Sequence, residues 1–295
     1  MVTHCISTYN NLPYLRLVLA SIEKNAHFKK VFVYAENCDD GTVEYLRGIK
    51  YGENGDKKTT LDLNYDIAYN PVSVGIGGGM NQCAMHVTTE YINFLHSDMW
   101  VTKDFDIPLL NLIKDAPKTI ASSWRVEPDI FGGTDRMGTT VSPKEAFGFL
   151  HDNFDYTSFE DWAIEFISNN LIRFRKAEGV SFMISKSDWD LVGGNDYIFA
   201  PAAFDDHDLF LRMTALGFDF IETSESLVFH FGARGSIFRG DDLTKRHPRQ
   251  TKAEQENILK WVDKWGSHPV FDQNGFIVMT PELEKRFKEI YDTKI

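Results

Sequence analysis

The chain has 295 residues, with 31 Lys+Arg against 43 Asp+Glu, a formal net charge of −12 and a pI near 5.2. A charged fraction of 25% beside 43% hydrophobic residues excludes a mainly disordered chain, and at ~150 residues per domain the length suits one large α/β domain or two small ones. The acid excess excludes a general binder of the nucleic-acid backbone, which needs a basic footprint, and leaves open an acceptor held by a small local patch.

Taken in order, Val2–Ser7 reads as a short apolar strand, followed by a Tyr9-Asn10-Asn11 turn. Leu12, Leu15, Leu19 and Ile22 then recur at helical spacing. Lys30–Tyr34 reads as a buried strand ended by the polar run Glu36–Thr42, and a helix follows from Val43 to about Gly48. Tyr51–Asp62 is charged and contains glycine, as an exposed loop does. Asp66–Tyr69 reads as a third strand, Gly77–Thr88 as a glycine-led helix, and Tyr91–Leu95 as a fourth strand running into His96-Ser97-Asp98. This alternation predicts an α/β fold with a mostly parallel, Rossmann-like central sheet and helices on both faces. Ligands of such sheets sit beyond the carboxyl ends of the strands, where Ser7–Asn11, Glu36–Thr42 and His96–Asp98 all fall.

After about residue 120 the alternation weakens. Ile120–Trp124 and Val180–Ile184 read as strands, and Ser158–Leu171 as an amphipathic helix with Trp162, Phe166 and Leu171 inward. Asp206–Leu216 is a helix ended by Gly217, and Leu227–Phe231 a strand holding His230. Two helices, Thr251–Trp265 and Pro281–Tyr291, form a C-terminal extension around a short segment at Val270–Val278. The expected division is 1–120, 121–240 and 241–295.

Three cysteines, Cys5, Cys38 and Cys83, show neither a pairing pattern nor zinc spacing. The opening residues lack the basic region of a leader. Residues 67–89 carry no Asp, Glu, Lys or Arg, yet Asn70, Pro71, Asn81, Gln82 and the glycines make them a loop and helix start. The expectation is a soluble, cytoplasmic protein with no transmembrane segment.

Five clusters carry the chemistry. Glu36 with Asp39-Asp40-Gly41-Thr42 fits a strand-tip carboxylate on a base or ribose, or equally a solvated turn in which Asp40 caps the next helix. Gly75-Ile76-Gly77-Gly78-Gly79-Met80-Asn81 is a poor dinucleotide fingerprint but a reasonable helix start for close approach to an anion. Asp98 ends a buried strand, where a carboxylate is costly unless bound, either to a divalent cation or as a helix N-cap before Lys103. Asp205-Asp206-His207-Asp208 crowds carboxylates at a helix start, which the helix dipole favours and which also drives pKa values apart as a general base requires. His230 at a strand end is a core residue, or a ligand if Asp98 is one.

Together these segments resemble glycosyltransferase family 2, the inverting GT-A enzymes that use nucleotide sugars. Ser7-Thr8-Tyr9-Asn10 matches the first-strand motif, and Glu36–Thr42 the acidic second-strand stretch, with Glu36 where the nucleobase is read. Gly75 and Asn81 match the glycine…asparagine segment, and His96-Ser97-Asp98 stands at the DxD motif. Gly193-Gly194, Asp205-Asp206-His207-Asp208-Leu209 and Arg212 match the region of the catalytic base, and His230 the late metal-ligand histidine, with Gly232 to Ser236 as its small-residue followers. The resemblance implies a glycosyltransferase using Mn²⁺ or Mg²⁺ and a UDP- or GDP-type nucleoside-diphosphate sugar. It places Asp206, then Asp205, as base; Ser7, Tyr9, Glu36 and Asp98 on the donor; Asp98 and His230 on the metal; and His96, Gly75, Asn81, Gly194 and Asp208 as donor or acceptor contacts.

Two departures stand out. His96 occupies the position of the first Asp, and the Gln-x-x-Arg-Trp stretch of processive synthases is absent, which implies transfer of a single sugar. The acceptor is a hydroxyl of a glycan, protein, lipid-linked group or nucleobase, met by a region around Trp124–Arg175. Basic Arg173-Phe174-Arg175-Lys176 suits an anionic acceptor or a solvated helix end. The tail, with Lys264-Trp265-Gly266, is similar to tails of phage and viral members. The rival readings are a nucleotidyltransferase on a related sheet, a glycoside hydrolase with paired carboxylates, and a non-catalytic nucleotide-sugar or glycan binder.

Overall fold

The computed structural model describes residues 1–52, 58–127, 140–143, 146–176, 179, 181–232, 234, 248–272 and 276–291. The elements in chain order are β1 (Val2–Thr8), α1 (Leu12–Asn25), β2 (Lys30–Glu36), α2 (Thr42–Tyr51), β3 (Asp62–Ala68), α3 (Gly75–His86), β4 (Tyr91–His96), β5 (Met99–Val101) and α4 (Asp106–Ile113). They continue with β6 (Thr119–Val126), β7 (Thr140–Val141), α5 (Tyr156–Asn169), β8 (Phe174–Lys176), β9 (Phe182–Ser185), α6 (Lys186–Val192), α7 (Asp205–Ala215), β10 (Asp219–His230), α8 (Pro248–Trp265) and α9 (Pro281–Tyr291).

One sheet runs in the order β3-β2-β1-β4-β9-β6-β10-β5, with β7 beside β6 and β8 beside β10. Its first four strands are parallel, as the alternation predicts. The other half is mixed: β9 is antiparallel to β4 and β6, β10 is parallel to β6, and β5 is antiparallel to β10. Side chains alternate between two covered faces. Ile6, Val31 and Val33 pack under α1, α2 and α4. Cys5, Phe32 and Tyr34 pack under α3, α6 and α7. The three cysteines are free and buried.

Strand lengths differ from the sequence reading where polar residues hide the pattern. β3 begins at Asp62, because Asp62, Asn64 and Asp66 alternate along an edge strand. β10 begins at Asp219, ahead of a polar stretch whose register against β6 shifts between Thr223 and Leu227. Short β5, α4 and α6 carry too few residues for a periodic signal. Leu171, expected inward, is 95% exposed, because α5 stops at Asn169 and Asn170 turns into extended backbone. Val180 lies outside the described residues.

The C-terminal helices pack Trp261, Trp265, Leu283 and Phe287 against Phe199 and Leu211. A buried ion cluster fixes them: Asp208 accepts from Arg212 Nε at 2.8 Å, Lys264 Nζ at 2.6 Å and Trp265 Nε1 at 2.9 Å. Asn257 Nδ2 of α8 lies 2.6 Å from Phe199 O, 2.8 Å from Ala202 O and 3.0 Å from Ala203 O, which pins the segment before α7. Among the described residues no helix is long and apolar enough to cross a membrane.

Removing one member of a buried charge cluster leaves the others uncompensated, at a cost of about 3–5 kcal/mol. Asp208→Ala is expected to lower the unfolding free energy in urea by about that amount. A loss below about 1 kcal/mol would show that the extension is held by its aromatic packing alone.

Candidate active site

A solvent-open cleft of about 900 Å³ lies beyond the carboxyl ends of β1, β2 and β4. The structure brings Ser7, Tyr9, Glu36, Gly75, His96 and Asp98 together on its walls. Arg234, which the sequence reading did not single out, also lines it.

Sheet topology assembles the deepest part. β4 ends at His96, a tight turn holds Ser97 and Asp98, and β5 then pairs antiparallel with β10, setting Met99 opposite His230. The backbone N–H of Phe231 donates to Asp98 O at 3.0 Å, which locks the turn to the end of β10. Asn11 Nδ2 donates to Ser97 Oγ at 2.9 Å and to Arg234 O at 3.1 Å, tying the β1–α1 turn to the same point. Asp98 Oδ2 accepts from the Arg234 backbone N–H at 2.7 Å, and Asp98 Oδ1 lies 3.5 Å from His230 Nε2. That nitrogen is buried and makes no closer hydrogen bond among the described residues. His230 Nδ1 lies 2.6 Å from Glu127 Oε1. Glu127, one residue past β6, is a functional candidate that motif reading missed. Its only signal is a carboxylate placed directly after a buried strand, as Asp98 is.

The charges follow from this packing. Burial, reinforced by the neighbouring His230, pushes the His96 imidazole down to about 4, so it is neutral at pH 7. Burial opposes charge on His230, but Asp98 and then Glu127 raise it to about 9. Burial likewise opposes ionisation of Asp98, yet His230 and His96 hold it below the ordinary carboxylate range. One potential ligand atom from each of His96, Asp98 and His230 lies within 4.8 Å of the others. A divalent cation fits this set: an orphaned buried nitrogen faces a carboxylate, and Glu127 orients that imidazole from behind, as outer carboxylates do for metal-bound histidine.

The second constellation opens α7. Ala203 and Phe204 both take left-handed backbone (φ 73° and 67°), turning the chain so that Asp205 and Asp206 start the helix. Asp205 is buried and accepts from the Gly77 backbone N–H; a Cβ on Gly77 would sit 2.8 Å from its Oδ2. The anion expected at the glycine-rich helix start is therefore the chain's own carboxylate. Burial, then the charge of Asp206, pushes Asp205 up to about 7. Burial opposes ionisation of Asp206 too, but His207, with Nδ1 at 3.0 Å, keeps it below the usual range. The Asp206 side chain is 39% exposed. Neither carboxylate lines the cleft itself; Pro201 and Ala202, just before them, do.

Other expected residues hold the walls in place. Gly75 (φ 71°) carries no Cβ because one would fall 1.7 Å from Pro201 O. Glu36 lines the cleft, but its carboxylate accepts from Ser73 Oγ at 2.5 Å, Val74 N at 2.7 Å and Asn70 Nδ2 at 2.9 Å. Asp40 accepts from Thr42 N at 3.1 Å and Leu12 N at 2.8 Å, serving the helix starts of the structural reading. Three further expected residues sit in packing contacts away from the cleft walls. Asn81 and Gly194 face each other, with Asn81 bonded to both Asn195 N and Asn195 O at 2.8 Å, and a Cβ on Gly194 would meet Asn81 Oδ1 at 2.4 Å. Asp208 is fully buried in the Arg212–Lys264 cluster. Asp98 caps no helix, since α4 starts only at Asp106. Of the expected followers of His230, Ala233, Gly235 and Ser236 lie outside the described residues.

The family model of glycosyl transferase family 2 matches residues 3–179, more than half of the chain, and the chain belongs to that family. No curated protein sequence matches it. Among solved structures it is similar to GalNAc-T7 crystallised with UDP, GalNAc and Mn²⁺, at 12% identity and a TM-score of 0.57 over 90% of this chain and 49% of that one. It is also similar to S. aureus TarS 1-349 in complex with UDP-GlcNAc, at 13% identity and a TM-score of 0.51 over 89% of this chain and 66% of that one. The chain thus spans about half the length of the first and just under two thirds of the second, and what it shares with them is the fold.

Asp205 has a consequence for pH. Between the ordinary carboxylate range and about 7 the folded chain holds a proton there that the unfolded chain has released. Its contribution to stability is full below about pH 4 and lost as pH rises through about 7. With EDTA present, the Tm of wild type is expected to fall from pH 5 to 7.5 more steeply than that of Asp205→Asn. Parallel curves would contradict the raised pKa.

Proposed function

We propose that the protein transfers one sugar from a nucleoside-diphosphate sugar to an acceptor hydroxyl in a single, inverting, non-processive displacement. The observation that carries this reading is the cleft at the strand ends in which Asp98 and His230 Nε2 converge beside Ser7, Tyr9 and Glu36. In this family a donor of UDP or GDP type belongs in such a cleft. The UDP in the GalNAc-T7 structure and the UDP-GlcNAc in the TarS structure favour uridine.

The half at 1–120 holds the donor, and 121–240 supplies the base and the acceptor side. Ser7 and Tyr9 meet the nucleoside. Glu36, already stapled to Ser73 and Val74, shapes the wall behind the base more than it offers free acceptors. Asp98 and His230 would hold Mn²⁺ or Mg²⁺, which would offset the charge of the leaving diphosphate.

The acceptor oxygen forms a bond to the anomeric carbon as the bond from that carbon to the diphosphate oxygen breaks. The hydroxyl proton passes to a carboxylate within about 3 Å. Asp206 is that base, because it is ionised and open, whereas Asp205 is buried against Gly77. The absence of a Gln-x-x-Arg-Trp stretch supports single transfer.

Asp206→Asn is expected to reduce nucleoside-diphosphate release from UDP- or GDP-sugars by about 10²–10⁴ with an unchanged Tm. Proton NMR of the wild-type product is expected to show the anomeric configuration opposite to the donor's. Wild-type rates in the variant would remove Asp206 as base. Binding of donor with no turnover on any acceptor panel would favour the non-catalytic binder.

A further inference from the structure

We infer that His207 is the positioning residue of the base Asp206, and that the C-terminal extension seats His207 through Phe271. A segment outside the matched family region then serves the reaction centre. This rests on Asp206 as the base of the transfer proposed above and adds to it what aims that base.

The contact with Asp206 is the first support. Asp206 stands in the first turn of α7 with its side chain 39% exposed, where several rotamers are open to a carboxylate. His207 holds it twice. Its backbone N–H donates to Asp206 Oδ1 at 2.8 Å, and its Nδ1 lies 3.0 Å from the same oxygen. Both contacts fall on Oδ1, which leaves Oδ2 to take the acceptor proton. Proton transfer needs the base within about 3 Å of the hydroxyl, and a misplacement of about 1 Å costs as much as 10²-fold.

The seat of His207 is the second. An imidazole aims its Nδ1 only if its own rotamer is fixed. Two rings fix this one. Phe204, in the left-handed turn before α7, lies 5.8 Å away between centroids at 44°, and Phe271 meets the imidazole edge-on at 5.1 Å and 74°. Both distances suit favourable aromatic pairs. Phe271 is itself anchored. It forms an antiparallel bridge with Ile277, flanked by Asp272 N–H to Phe276 O at 2.9 Å and Val278 N–H to Val270 O at 2.8 Å. Ile277 packs with Trp261 and Leu283 in the core of the extension. The contacts thus run without a break from that core through Ile277, Phe271 and His207 to Asp206, while Phe271 stays off the cleft walls.

The test is nucleoside-diphosphate release at saturating UDP- or GDP-sugar, measured for His207→Ala, His207→Asn, Phe271→Ala, Asp206→Asn and the double variant Asp206→Asn with His207→Ala. Tm and donor Kd are measured for each. His207→Ala is expected to lower kcat at least about tenfold with the donor Kd changed less than about twofold. His207→Asn, whose Nδ2 stands where the imidazole Nδ1 stands, is expected to recover most of that rate. Phe271→Ala is expected to lower kcat by about threefold or more. In the double variant, His207→Ala is expected to cost less than about twofold beyond Asp206→Asn, because a residue that acts through Asp206 has nothing left to aim. A merely structural His207 would lower Tm, act additively and gain nothing from Asn. A wild-type kcat in His207→Ala, or full additivity in the double variant, overturns the inference while a slow Asp206→Asn leaves the base standing. A wild-type kcat in Phe271→Ala overturns the role of the extension. If Asp206→Asn keeps its rate, or wild type releases no nucleotide from any donor, the transfer reading falls and this inference with it.

Discussion

Three residue pairs of antiparallel sheet, Val101 with Val228, Trp100 with Phe229 and Met99 with His230, set the geometry of the candidate site. Without them Asp98 would end its turn in solvent and His230 would end its strand elsewhere. With them, the two arrive at one point, joined by the Phe231 N–H to Asp98 O bond. The pairing is itself held by aromatic packing, since Trp100, Trp124, Phe159, Phe229 and Phe231 share one cluster under α5. A long-range contact between residues near 100 and residues near 230 thus converts two ordinary strand ends into a candidate metal centre.

The surrounding network shows why buried charge is tolerable there. Asp98, His230, Glu127 and Arg234 are all nearly inaccessible: Asp98 and Glu127 face His230 and a backbone or guanidinium donor, and the Arg234 guanidinium donates to the carbonyls of Phe231 and Phe149. Among the described residues of this network, His230 Nε2 makes no hydrogen bond beyond its 3.5 Å approach to Asp98. The α7 carboxylates are set apart by the same means. Two neighbours in sequence receive opposite pKa shifts because burial and the Asp206 charge raise Asp205, whereas His207 lowers Asp206. The C-terminal helices contribute from behind, where Asn257 pins the segment that carries Pro201 and Ala202 into the cleft wall.

Much of this was legible in the residues. The alternation of Val2–Ser7, Lys30–Tyr34 and Tyr91–Leu95 with helical spacings specifies parallel β1, β2 and β4, and the polar runs after them mark the cleft. In the mixed half, Ile120–Trp124, Val180–Ile184 and Leu227–Phe231 read as strands, but their pairing and full lengths were not legible. β9 and β5 are four and three residues long, and β10 hides its first half in Glu222-Thr223-Ser224-Glu225-Ser226, a polar stretch with shifted register. Glu127 escaped because its partner is 103 residues away, and no local pattern encodes that distance. The packing partners of Asn81, Gly194 and Asp208 escaped for a related reason: Asn81 meets the Gly194-Asn195 turn after α6 and Asp208 anchors the tail, both across long sequence distances.

The central claim is that the cleft binds a nucleoside diphosphate through a cation held at the junction of β5 and β10. Thermal unfolding with UDP or GDP, in Mn²⁺ or in EDTA, tests it most directly, comparing wild type with Asp98→Asn. A nucleotide at about 100 times its Kd adds about 2.7 kcal/mol of stability. The account predicts that shift for one nucleotide with Mn²⁺, and its loss both in EDTA and in Asp98→Asn. An equal shift in EDTA, or none with either nucleotide, would contradict it.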